Sequence, residues 1–158
     1  MLLHRKAKDV ALLLEAATLL TFSAAAIRLL PFGLIGQLAS KRLARKQAAF
    51  REDSITRIAW AVRAAAIRAP FRAVCYQQGL AAQMMLRRRG LDSQLYFGAA
   101  HHQGQGLTAH VWVRCGGIDV VGGEEAHLYP PLAQFPAPPK GTCGPPSRSV
   151  TAPEPSEP

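Results

Sequence analysis

Apolar positions along this chain first follow the spacing of helices and later the spacing of strands. From Leu2 to about Leu30 the chain is dense in Ala and Leu, both strong helix formers, until Pro31-Phe32-Gly33 punctuates it. A second helical stretch, Leu34 to about Phe50, sets Leu34, Leu38 and Leu43 against Lys41, Arg42, Arg45 and Lys46. A third begins at Asp53-Ser54, residues suited to capping, and carries Ile55, Ile58, Trp60, Val62 and Ile67. It ends before Pro70, because the residue preceding a proline resists the α conformation. A fourth helix runs from about Ala73 to Arg89, with Gly90 as its stop and three arginines in the last turn, where the helix dipole favours cations.

The period then shortens to two. Gln94–Ala100 has strand composition, His101–Gly106 reads as a loop, and Thr108–Arg114 is a second strand with β-branched and aromatic residues. Cys115-Gly116-Gly117-Ile118 predicts a tight hairpin, since Gly-Gly supplies positive φ, and Asp119–Val121 returns as the partner strand. From Phe135 onward the composition collapses into Pro, Gly, Ser and Thr. Such a tail buries too little apolar surface to offset its ordering entropy. The expected organisation is an N-terminal helical region (1–52), a core (53–135) and a disordered Pro-rich tail (136–158) that takes Cys143 with it.

Charge adds a direction. Nineteen Lys and Arg against ten Asp and Glu give a net +9, with the excess mostly before residue 90. That surface suits acidic partners, whether a carboxylate-rich peptide, nucleic acid or an anionic membrane, although arginines every five or six residues also describe a solvated helix face. Three cysteines without a CxxC pair predict a reducing, cytoplasmic setting. The basic start, His4-Arg5-Lys6, precedes an apolar stretch, but the uncharged run Ala16–Ile27 holds only 12 residues. A membrane span needs roughly 20, so the expectation is a buried or membrane-touching helix.

Two residues invite chemistry. Cys75 falls in the first turn of the fourth helix, where unsatisfied N–H groups, the positive dipole end and Arg72 favour a thiolate, the nucleophilic form. By itself it reads more simply as a small buried apolar residue, and His110 is what changes that. His110 lies on a strand, sharing a face with Trp112 and Arg114. Cysteine nucleophiles need an imidazole brought from elsewhere in the fold, and a helix N-terminus packed across an antiparallel sheet can supply that meeting. His101, His102, His110, His127 and Cys115 fit no standard zinc spacing, and Cys115 alternates away from His110, so no metal and no cofactor is expected. For a third, orienting member Asp119 is the obvious acid. The hairpin register, however, pairs Arg114 with Asp119, Trp112 with Val121 and His110 with Gly123. At about 3.4 Å per residue, Asp119 then lies some 13 Å (roughly) from His110. Glu124 is nearer; a backbone carbonyl or a water could also orient the ring.

Taken together, Ala69-Pro70-Phe71-Arg72-Ala73-Val74-Cys75, Gln78-Gly79-Leu80 through Arg89-Gly90-Leu91, Leu95-Tyr96-Phe97-Gly98-Ala99, Ala109-His110-Val111-Trp112-Val113 and Val121-Gly122-Gly123-Glu124 resemble the lasso-peptide B2 family. These are transglutaminase-like cysteine proteases, and the resemblance covers about Leu12 to Phe135. It implies an α+β, papain/transglutaminase-like fold with Cys75 as nucleophile and His110 as general base. It implies removal of the leader from a ribosomally made precursor peptide, with a separate leader-recognition protein and an ATP-dependent cyclase as partners and no role for nucleic acid. The family's acid lies about a dozen residues after the histidine, and here that position is Gly122. Glu124 substituting, or a dyad working alone, are the readings this leaves. Competing accounts are a non-catalytic scaffold for peptide maturation, or a basic helical protein that binds membrane or nucleic acid.

Overall fold

Glu52 and Asp53 set two carboxylates in the first turn, and Arg68 a cation in the last turn, of a helix that places six side chains in the central core. The computed structural model describes residues 2–40, 52–102 and 106–137. Helices α1 (Leu2–Leu29), α2 (Phe32–Ser40), α3 (Glu52–Arg68) and α4 (Cys75–Arg88) come first. Strands β1 (Gln94–His102), β2 (Gly106–Cys115) and β3 (Ile118–Val121), a short 3-10 helix over Gly123–Leu128, and β4 (Pro131–Phe135) follow. The chain is therefore α+β, as the change of period predicts.

The strands form one antiparallel sheet in the order β3-β2-β1-β4. One face of it receives α4, and α1 and α3 pack on α4 from the other side. Leu12, Ala16 and Leu20 of α1 join Ile55, Ile58 and Val62 of α3, Met85 and Leu86 of α4, and Val111, Val113 and Val121 of the sheet in one apolar core. Each large side chain buried there contributes about 1.5–3 kcal/mol. A smaller cluster of Ile35, Ala39 and Leu80 seats α2.

The end of α4 is a Schellman motif. Leu91 N–H donates to Leu86 C=O at 3.0 Å and Gly90 N–H to Arg87 C=O at 2.9 Å, with Gly90 at φ 73°. Buried Leu86 and Leu91 supply the apolar contact of that motif.

Several boundaries differ from expectation. Helix α2 starts at Phe32, because Pro31 need not donate and its carbonyl accepts from Leu34 and Ile35; the expected continuation over residues 41–50 lies outside the described residues. His101 and His102, read as loop, extend β1 and pair with Leu107 and Gly106. The 3-10 helix and β4 were not expected at all. The hairpin turn is as anticipated, with Gly116 and Gly117 at φ 55° and 86° and Arg114 opposite Asp119. Beyond it the register shifts, so Val113, not Trp112, faces Val121. Val120 is the extra residue of this β-bulge, and just beyond β3 the Gly122 carbonyl meets the His110 side chain. The tail from residue 138, with Cys143, lies outside the described residues.

Candidate active site

Helix α4 opens at Cys75. The preceding Val74 is extended, at φ −80° and ψ 170°, and its N–H donates to Gln77 Oε1 at 2.9 Å, so a side chain three residues ahead satisfies the entry amide. The first bond within the helix runs from Gln78 N–H to Val74 C=O, 3.2 Å. The Cys75 amide therefore lies in the turn that no helical carbonyl serves, where it can hold developing negative charge. The thiol is half-buried against the main core.

Gly79, one turn further on, lets α4 press onto the sheet: a Cβ there would lie 2.9 Å from Val111 Cγ1 and 3.6 Å from Leu95 and Val113 side chains. The C-terminal end of α4 leads through Gly90 into Gln94, which pairs with Arg114. The helix thus runs from the His110 level of β2 toward its Arg114 end, and Cys75 lies at the His110 end.

The imidazole leaves β2 on the face away from α4. Alternation turns Val111 and Val113 toward the helix and His110 and Trp112 away from it. There His110 is buried in an aromatic stack, its ring centroid 5.1 Å from that of Tyr129 and 6.2 Å from Trp112, which in turn stacks on Tyr96 at 5.3 Å. Its Nε2 lies 2.7 Å from the carbonyl oxygen of Gly122. A carbonyl only accepts, so Nε2 carries the proton and the neutral ring keeps its lone pair on Nδ1. The carboxylate near Nδ1 belongs to Glu125, whose Oε2 is 3.8 Å away and largely exposed.

Neither acid named from the sequence reaches the ring. Glu124 pairs with Arg63 of α3 at 2.5 Å. Asp119 takes two bonds from Arg114, 2.8 and 3.1 Å, and holds that guanidinium above its ordinary pKa. The orienting acceptor is instead the main chain of Gly122, the residue at which the resemblance expects a side-chain acid. Among the described residues no hydrogen bond joins the Cys75 thiol to His110. Cys115, on the α4 face, is buried, and desolvation first, then the charge of Asp92, pushes its thiol up.

Three residues near His110 escaped sequence reasoning. Gly98 stands opposite His110 in the β1–β2 ladder, where a Cβ would meet Pro130 O at 2.9 Å and Trp112 and Tyr129 at 3.0 Å. Its lack of a side chain admits the Tyr129-Pro130 segment onto the histidine. A glycine within a strand is the signal that could have shown this close approach. For Tyr129 and Glu125 no local signal exists, since both arrive through the bulge and the 3-10 helix.

A family model described as the transglutaminase-like superfamily matches residues 16–133, from α1 to β4, and the chain belongs to that superfamily. No curated protein and no solved structure matches it. The superfamily includes cysteine peptidases and transglutaminases, and both chemistries run through a cysteine nucleophile served by an imidazole.

Proposed function

We propose that this protein is a cysteine peptidase that removes the leader from a ribosomally made precursor during lasso-peptide maturation. The observation that carries the reading is the His110 Nε2–Gly122 carbonyl bond, which fixes the tautomer a general base needs and leaves Nδ1 to receive a proton. Supporting it are the superfamily, Cys75 as the first residue of α4, and the specific resemblance of the segments around both residues.

In this reading the Cys75 thiol gives its proton to His110 Nδ1 as sulfur attacks the scissile carbonyl. First-turn amides of α4 hold the oxyanion, His110 returns the proton to the leaving amine, and water hydrolyses the thioester, regenerating the thiol. Since the imidazole stands on the face of the sheet away from α4, this reading requires a rearrangement on substrate binding that brings the thiol and Nδ1 together. A separate protein that recognises the leader, and an ATP-dependent cyclase acting after it, are the partners this role requires, in the reducing interior of the cell.

A second reading, a non-catalytic scaffold for the same complex, draws on the absence of a Cys75–His110 hydrogen bond among the described residues. Precursor cleavage with the leader-recognition partner present decides between them. Loss of cleavage in Cys75→Ala with partner binding intact supports the peptidase; cleavage that persists in Cys75→Ala overturns it.

A further inference from the structure

Helix α1 is apolar on both sides. Its inner side, Leu12, Ala16, Leu20, Ser23 and Ala26, is buried in the protein. Its outer side carries a stripe of Val10, Leu14, Ala17, Thr21 and Ala25, all exposed, with Leu14 at 64% and Val10 at 55%. Phe22 and, at 80% exposure, Leu29 widen it. A surface helix ordinarily turns charge toward water, and this one turns none from Val10 to Ile27 on that side. Between α1 and α3 the stripe continues into a groove of about 340 Å³ lined by Leu13, Ala65, Ala69 and Pro70.

Two further features say what covers it. The stripe ends in exposed cations, Lys6 and Lys8 at one end and Arg28 at the other, and Arg68 stands at the groove; among the described residues none of these four pairs with a carboxylate. The hydroxyls on the outer side are also spent: Thr18 Oγ1 donates to Leu14 C=O at 2.8 Å and Thr21 Oγ1 to Ala17 C=O at 2.9 Å. Back-bonded hydroxyls present no hydrogen-bonding group that needs water, which suits an apolar phase.

We infer that the outer face of α1 docks on an anionic lipid bilayer, lying in the plane of the interface. The uncharged stripe is about 28 Å long at 1.5 Å per residue, and its end cations sit where phosphate headgroups would be. By length and composition Lys6–Leu29 could also cross a membrane, so the short uncharged run does not exclude a span. What opposes one is packing, since the inner side of α1 is committed to α3 and α4. Docked this way, α1 faces lipid while the sheet, packed on the far side of α4, stays in water.

The test is flotation of the purified full chain with vesicles of phosphatidylcholine alone or mixed with phosphatidylglycerol. The chain is expected to float with the mixed vesicles and far less with the neutral ones. Leu14→Glu together with Phe22→Glu should cut partitioning at least about tenfold with an unchanged melting temperature, and Arg28→Glu should weaken it about fivefold or more. Cys75→Ala should leave it unchanged, so this inference and the catalytic one fail separately. Absence of flotation with anionic vesicles overturns the proposal, as does flotation indifferent to both sets of substitutions. A concentration-dependent dimer broken by Leu14→Glu also overturns it, because a second copy then covers the face. Should the double variant not fold, Arg28→Glu alone decides.

Discussion

The main-chain carbonyl of Gly122 accepts the Nε2–H of His110 at 2.7 Å, at the place in the chain where the resemblance expects a carboxylate. A carbonyl orients the ring as an acid would, but it carries no charge to stabilise the imidazolium that forms during turnover. Removing the charged member of a triad lowers activity strongly and leaves residual catalysis. The account therefore describes a slow dyad with a fixed ring.

Installing the missing acid should not rescue it. Gly122 has φ 73°, and a Cβ there would collide with Val111 O and lie 3.2 Å from His110 Nε2. Gly122→Asp and Gly122→Ala should each destabilise the protein by about 2 kcal/mol or more, lowering the melting temperature by about 5 °C or more. Cleavage should fall in both; a more active Gly122→Asp would show that the bulge rearranges to accept the acid.

Gly98→Ala tests whether the aromatic cover positions the histidine. The added methyl meets Pro130 O, the Trp112 ring and Tyr129 Cβ at 2.9–3.0 Å, and Trp112 and Tyr129 are the residues whose rings stack on His110. A stability loss of about 1–3 kcal/mol is expected, with the maximal cleavage rate falling more than substrate binding. If the rate stays at wild type while stability drops, Gly98 serves packing alone.

Glu124 separates two accounts of the acid. Its bond to Arg63 lies at the surface, with side chains 65% and 48% exposed, and such pairs contribute about 0–1 kcal/mol. Glu124→Gln should change both melting temperature and cleavage little. A large loss of cleavage at unchanged stability would return Glu124 to the site.

Glu15 gives a pH signature to the fold. Its bond to Arg89, 2.6 Å between Oε2 and Nη2, holds its carboxyl below the ordinary range, against some desolvation, with Arg88 adding to the effect. A carboxylate lowered in the folded state stabilises above its unfolded pKa, and that contribution fades as pH falls through the folded value. Glu15→Gln should cost about 1 kcal/mol at neutral pH, and the gap from wild type should close in acid. A gap independent of pH would contradict the ion pair.

Period and punctuation made the helices legible. A run dense in Ala and Leu placed α1, Pro70 ended α3, and Gly90 ended α4, because each of these signals is local. The hairpin was legible for the same reason: Gly116-Gly117 permits the positive φ the turn needs. Cys75 could be read onto a helix start and His110 onto a strand. What bonds to His110 could not be read, because the partner is a backbone carbonyl, Gly122, just past the end of β3, and the extra residue Val120 shifts the register that a sequence count relies on. Pro131–Phe135 as a strand was equally hidden, since its partners lie far back in the chain, Gly98 opposite Pro131 and Leu95 opposite Phe135, and Pro residues argue locally against a strand.

The account turns on Cys75 being a nucleophile that His110 serves, and alkylation reads this without knowing the substrate. At neutral pH, site-resolved iodoacetamide labelling should modify Cys75 about tenfold faster than Cys143 or more, leave buried Cys115 untouched in the folded protein, and slow at Cys75 to the Cys143 rate in His110→Ala. Equal labelling of Cys75 and Cys143 in the wild-type protein, or a Cys75 rate indifferent to His110→Ala, would contradict it.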